Sequence, residues 1–367
     1  MVYFYIYIIA YEVSQNKVFY PGFANLTNPT QTVKISLTIV CCTGGKNMDN
    51  TTRELPQTAV IYVGKDRDYR TVQEAVDAIP EDNTTPVMLK LDPGVYTEAV
   101  RIPGTKPYIT LIGTGDKAED TVISYDNYAG RKRENGDMTG TFRSATVSIY
   151  ANDCGACNLT FRNSYDGVSG AEGGRQALAL YASGERLVFT NCRFLGKQDT
   201  LYVRDGSQLY EKCYIEGDVD FIFGAARTVF ESCEIRSLVH SRREPGAVQG
   251  YVAAPSTYLA QKFGFVFRHC RLVSDCPEQT VYLGRPWHAG SDPFAVGSAY
   301  YIECELGAHI HKDGWTDMGG FLGRNARFGE YGSFGPGAAV SAKRPLLTAE
   351  EAAALTNERV LGWDCGR

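Results

Sequence analysis

The chain has 367 residues, 44% of them hydrophobic and 22% charged, which fits one large or two small globular domains and excludes disorder. Its net charge of −5 and pI near 5.7 exclude nucleic acid as a partner, because phosphate contacts need a basic face. A free polyanion is also repelled at long range, whereas an esterified acid polymer is not, provided a few cations line its groove.

The first fifty residues differ from the rest. Met1 to Ala10 is apolar and aromatic, but no Lys or Arg precedes it and Glu12 follows closely. It lacks the basic start and small-residue cleavage site of a signal peptide, and it is too short to span a bilayer. Val33 to Cys42 is a second short apolar run, with Val40 where a lipoprotein signal needs a small residue. The expectation is that residues 1–47 are a non-native or disordered extension, that Met48 is the true start, and that no segment spans a membrane.

A first helix is predicted at Thr71-Val-Gln-Glu74, a capping box, followed by Val72, Ala75, Val76 and Ile79 at helical spacing. Pro80 stops it. Such a helix covers the open end of a stacked fold and blocks edge pairing. A second capping box, Thr348-Ala-Glu-Glu351, opens a short helix through Ala354 and Leu355.

Between the helices one pattern recurs: aromatic or aliphatic, two residues, Cys, one residue, aliphatic or aromatic. Its copies begin at Phe189, Tyr210, Phe230, Phe267 and Tyr301, with their cysteines at Cys192, Cys213, Cys233, Cys270 and Cys304; Cys157-Asn-Leu159 is a partial copy. Cys192 to Cys213 is 21 residues and Cys213 to Cys233 is 20; wider gaps hold inserted loops. A period near 20 with short alternating strands predicts an all-β chain wound as a parallel β-helix. A β-propeller is the second choice, but its period of about 40 or more does not match. A small thiol stacks on its equivalent inside such a coil, so these cysteines read as structural. The eleven cysteines are odd in number, and disulfides between the repeated ones are not expected without a secretion signal. Cys154-x-x-Cys157 has no second pair, so buried thiols are preferred over zinc.

Asp199 lies seven residues after Cys192, and Asp220 seven after Cys213. Equivalent positions on adjacent coils stack, so the two carboxylates are neighbours and one carries a raised pKa. That separates an acid from a nucleophile or base. The register continues, with Leu201 opposite Ile222 and Tyr202 opposite Phe223. Gln198 adjoins Asp199, and Gln176 lies one coil earlier; neutral amides can stabilise an oxyanion without charging a neighbouring acid. Arg285 is able to grip a carboxylate with two bonds. Trp287 stacks on a sugar ring or packs internally.

These residues fall in five ordered segments: Gly94-Val-Tyr-Thr-Glu98, Gln176-Ala-Leu-Ala-Leu180, Gln198-Asp-Thr-Leu201, Asp220-Phe-Ile-Phe-Gly224 and Leu283-Gly-Arg-Pro-Trp287. In these the chain resembles the pectin methylesterases, over about Ala59 to Trp363, with a pectinesterase domain expected at 59–363. The resemblance implies a single-stranded, right-handed parallel β-helix with short capping helices. It implies hydrolysis of methyl esters of polygalacturonate, without metal or cofactor, by a monomer; the family works outside the cell, while the lack of a clear signal peptide leaves a cytoplasmic location as the alternative. Asp220 is then the nucleophile, and Gln176 and Gln198 the oxyanion donors. Asp199 is the acid that protonates methanol and the base that activates water against the acyl-enzyme. Arg285 keeps Asp220 ionised. Substrate-contact positions carried over are Tyr202, Phe223, Trp287, Val219, Thr141 and Met318. The loop Tyr125 to Gly140, with Arg131, Lys132 and Arg133, is longer and more charged than in plant-type members and is closer to bacterial ones.

A lyase or glycosidase on the same polymer gives no reason for the two glutamines. A relative acting on acyl thioesters keeps the same fold. A decayed carbohydrate-binding protein is disfavoured because every acid and amide is in place.

Overall fold

A computed structural model describes residues 58–170 and 174–365. The extension expected at 1–47, Met48, Cys41 and Cys42 lie outside these residues.

Every ladder between strands is parallel, and the strands fall into a 15-stranded and an 8-stranded sheet. The larger sheet bends into two faces. Two 11-residue strands, Leu180–Thr190 and Leu201–Glu211, carry the chain round that bend. Each coil therefore has three short strands on three faces. One coil runs Leu201–Val203, Gln208–Glu211 and Tyr214–Gly217, and the next begins at Ile222. The solenoid is a parallel β-helix. Its right-handed sense is the one in which a twisted strand feeds its next parallel neighbour.

The sequence repeat explains the interior. Its first position builds a continuous aromatic stack: Phe189 on Tyr210 at 4.7 Å, Tyr210 on Phe230 at 5.1 Å, Phe230 on Phe267 at 4.6 Å and Phe267 on Tyr301 at 4.4 Å. Its cysteines form a parallel column. Each Sγ donates to the carbonyl of the aromatic residue one coil back, Cys213 to Phe189, Cys233 to Tyr210, Cys270 to Phe230 and Cys304 to Phe267, at 3.3–3.5 Å. Burial pushes these thiols up in pKa and leaves them without thiolate character. The residue before each cysteine turns the corner in the left-handed region: Asn191, Lys212, Ser232, His269 and Glu303 have φ of 51–55°. A single left-handed residue lets two strands meet at an angle with no loop between them.

The first predicted helix forms over Val72–Ala78 with the Thr71 box intact, and it buries Val72, Ala75 and Val76 in the solenoid core. Its first N–H groups, from Val72 and Gln73, donate to the Glu98 carboxylate at 2.7 and 3.0 Å. Lys106 donates from the other end to the carbonyls of Val76 and Asp77, both at 3.1 Å. Tyr96 donates to Val63 and Asp92. The Gly94–Glu98 segment is thus a fastening for the cap, remote in role from chemistry. The second predicted helix forms over Ala349–Ala353, and a further one spans Asn357–Leu361. Both lie against the outside of the second face, covering Leu209, Val229, Val266 and Ile302.

Candidate active site

The first face carries the strands Val147–Ile149, Leu180–Ala182, Leu201–Val203, Ile222–Gly224, Gly250–Pro255 and Val281–Gly284. Leu201 pairs with Ile222 and Tyr202 with Phe223, as the repeat predicted. Asp199 and Asp220 sit just before those pairs, and both are left-handed, with φ of 63° and 51°. Aspartate tolerates this region better than most residues. The shared corner turns both carboxyl groups out at the same edge of consecutive coils. The backbone link between the coils is Asp199 N–H to Val219 O at 3.0 Å.

The two acids have different environments. Asp220 is gripped by Arg285 through both oxygens, Nε to Oδ1 at 2.8 Å and Nη2 to Oδ2 at 2.6 Å. Tyr251 lies flat under the guanidinium, 3.7 Å from it, and holds its plane. Asp199 has no cation of its own. Burial, then the charge of Asp220, pushes its carboxyl well above the usual range, with Asp218 adding to this; Arg285 and a hydrogen bond from Gln198 only partly offset the rise. Its side chain is accordingly set up to hold a proton beside a clamped carboxylate.

Gln176 and Gln198 occupy the edge positions of the two preceding coils, both half-buried and joined through Ala177 N–H to Gln198 O at 3.1 Å. The Gln176 carbonyl accepts from Ala129 at 2.8 Å, so the loop that begins at Tyr125 fixes this edge. That loop is pinned further by Tyr128 stacked on Tyr165 at 4.1 Å.

The aromatic positions build an outward layer on the same face. Tyr202 stacks on Phe223 at 4.5 Å, and Trp287 meets both edge-on at 6.3 and 5.5 Å. Tyr202 and Phe223 are themselves nearly covered, so the surface a ligand meets is Trp287 and Phe142. Phe142 is 47% exposed and stacks on Tyr202 at 4.9 Å. Thr141 adjoins it in the turn Thr141–Arg143. Val219, which precedes Asp220, is buried, and its N–H donates to Asp218 Oδ1 at 2.6 Å. Met318 pairs through its backbone with Phe321, whose ring stacks on His288 next to Trp287. It therefore reaches this side of the site through that hairpin.

Sequence reading missed Tyr251, Phe142, Tyr181 and Asp218. Tyr181 was within reach, since it pairs with Tyr202 21 residues on, the same step that relates Tyr202 to Phe223. Tyr251 was not, because the loop before it breaks the period. Among the described residues no cluster of three or more metal-ligating side chains occurs, and no helix is long and apolar enough to cross a membrane.

Coil and site together define a parallel β-helix that sets an arginine-clamped carboxylate beside a second, proton-holding one. The pectinesterase family model matches residues 58–360, and the chain belongs to that family. It is 36% identical over 296 residues to pectinesterase 31 of Arabidopsis thaliana, covering 78% of this chain and 86% of the relative. It is 34% identical over 325 residues to pectinesterase A of Dickeya chrysanthemi, covering 80% and 87%. Among solved structures, a pectin methylesterase in complex with a hexasaccharide superposes with a TM-score of 0.77 at 32% identity, over 84% of this chain and 98% of that one. The carrot pectin methylesterase superposes at 0.71 and 29% identity, over 85% and 95%.

Proposed function

We propose that this chain hydrolyses the methyl esters of pectin to pectate and methanol through an acyl-enzyme on Asp220. The observation that carries the mechanism is the inequality of the acid pair: Asp220 clamped by Arg285, Asp199 buried with its pKa raised. Asp220 attacks the ester carbonyl carbon, and the carbonyl π pair moves to oxygen. The amides of Gln176 and Gln198 stand on the edge where that oxyanion forms and donate to it. When the C–O bond breaks, the proton on Asp199 goes to the leaving methoxide, giving methanol. Asp199, now ionised, takes a proton from water. The hydroxide attacks the anhydride, and Asp220 leaves as carboxylate. Arg285 stays bound to Asp220 through the cycle, so the nucleophile keeps its rotamer.

The test is methanol release from esterified pectin by the purified chain, with reducing ends and unsaturated products measured in parallel. Methanol without chain scission is expected. Scission without methanol would replace this reading with a glycosidase or lyase.

A further inference from the structure

Asp218 lies two residues before Asp220, and the mechanism assigns it no task. It is the single residue between Tyr214–Gly217 on the third face and Val219–Gly224 on the first, so it forms the corner from which the catalytic segment starts. Asp218, Val219 and Asp220 are all buried. The counterpart of Asp218 on the preceding coil is Lys197, 21 residues earlier, just as Asp199 is the counterpart of Asp220. A lysine serves at the one corner and an aspartate at the other, so the repeat itself does not call for a carboxylate here.

The hydrogen bonds of Asp218 join the coils that build the site. Its N–H donates to the carbonyl of Lys197, the neighbour of Gln198, at 3.2 Å. Its carbonyl accepts from the Tyr251 N–H at 3.1 Å, and the Tyr251 ring lies under the Arg285 guanidinium. Its Oδ1 accepts from the Val219 N–H at 2.6 Å, and the Val219 carbonyl accepts from the Asp199 N–H at 3.0 Å. The residue before Asp220 is therefore held at both ends, by the Asp218 carboxylate and by the backbone of the proton-holding acid. The next coil presses directly on this corner, since a Cβ on Gly250 would meet the Asp218 carbonyl oxygen at 2.0 Å.

Two features make such a hold necessary. The ladder to the next coil shifts register between Val219 and Ile222, so regular strand pairing does not define the backbone at Asp220. Asp220 is also left-handed, with φ of 51°, a conformation that its surroundings must impose. A short polar side chain that bonds a neighbouring backbone N–H is a local device for fixing a turn of this kind.

We propose that Asp218 is a positioning residue: through the Val219 N–H its carboxylate fixes the turn at Asp220 and so sets the placement of the nucleophile against the acid on Asp199. This rests on the reading of Asp220 as nucleophile. Buried under the corner, Asp218 acts through the backbone and not on the substrate. Reaction geometry is sensitive on this scale, because a displacement of about 1 Å can cost about 10²-fold in rate. The role needs an acceptor oxygen rather than a charge, so an amide in the same place should serve.

The experiment compares wild type, Asp218→Ala and Asp218→Asn, as purified full chains, for methanol release from esterified pectin and for hydrogen exchange of the Val219 amide. Asp218→Ala is expected to lower kcat by about 10- to 100-fold with KM nearly unchanged, and to speed Val219 exchange by about tenfold or more. Asp218→Asn should keep the Val219 amide protected and recover most of kcat. If the alanine variant does not fold, Asp218→Glu carries the test, because it keeps the charge and moves the acceptor by one carbon; a loss of about tenfold in kcat is expected there. Wild-type kcat in the variant that removes or moves the acceptor would overturn the proposal, as would a loss confined to KM, or equal losses in the alanine and asparagine variants. Absence of methanol release from wild type would count against the esterase reading alone, because the exchange arm does not depend on turnover.

Discussion

Four arginines, Arg67, Arg186, Arg285 and Arg344, each grip a carboxylate through Nε and Nη2, and the last two make the instructive comparison. Arg285 holds Asp220 through Nε and Nη2 at 2.8 and 2.6 Å, and Arg344 holds Glu330 through the same two nitrogens at 2.8 and 2.5 Å. Their surroundings differ. The Arg344 pair is sealed, with side chains 2% and 4% exposed, and Arg344 also donates to Gly337 O. It ties the closing segment to the last strand, Arg327–Tyr331. The Arg285 pair lies at a groove edge beside a second acid that has no cation of its own, with two amides alongside. A bidentate clamp is therefore not a catalytic feature in itself. It becomes one when the clamped carboxylate faces a proton-holding neighbour and an opening for a substrate.

The sharpest way to break this comparison is to alter one member of each pair. Asp220→Asn should cut kcat by about 10⁴-fold or more, since the nucleophile is gone. Thermal unfolding should move little, because the amide fills the same space. Wild-type methanol release from this variant would remove Asp220 from the mechanism. Arg344→Ala should do the reverse, destabilising the fold by about 3–5 kcal/mol because Glu330 is left buried and uncompensated. Methanol release per folded molecule should persist, as measured below the transition. A catalytic defect in folded Arg344→Ala would erase the distinction between the two clamps.

A smaller effect is expected at the amides. Gln198→Ala should lower kcat by about 10²–10³-fold with KM nearly unchanged, because the lost hydrogen bond belongs to the transition state. A change confined to KM would instead make Gln198 a substrate-binding group.

The smallest effect is on stability and concerns Asp199. Its folded-state pKa is raised, so the folded chain binds this proton more tightly than the unfolded chain. The stability from this site is fully present below the unfolded value, about 3.9, and is lost as pH rises through the folded value. Asp199→Asn should therefore melt above wild type at neutral pH, and the gap should close in acid. An unchanged gap between pH 3 and pH 8 would show that Asp199 is not the proton holder.

The parts of the site that were legible in the sequence are those spaced by a constant period. The step of 20 to 21 residues at Cys192, Cys213 and Cys233 put Asp199 and Asp220 on neighbouring coils and paired Tyr202 with Phe223. Thr71 and Thr348 marked two helix starts because capping is local chemistry within four residues. Where insertions interrupt the period, counting fails. Tyr251 pairs with Val219 only after a loop and across a register shift, so its place under Arg285 was out of reach. The Gly94–Glu98 segment was legible only as a family signature, and its task of fastening the cap shows in the contacts of Glu98 and Tyr96.

By itself, the sequence determined the repeat, the ladder of aromatic and cysteine positions, and the register that brings the two acids together. These follow from short-range periodicity, which each coil repeats against the last. The tertiary structure decided which acid is clamped and which is left to hold a proton. That choice depends on Arg285, 65 residues beyond Asp220, and on burial that no local pattern encodes.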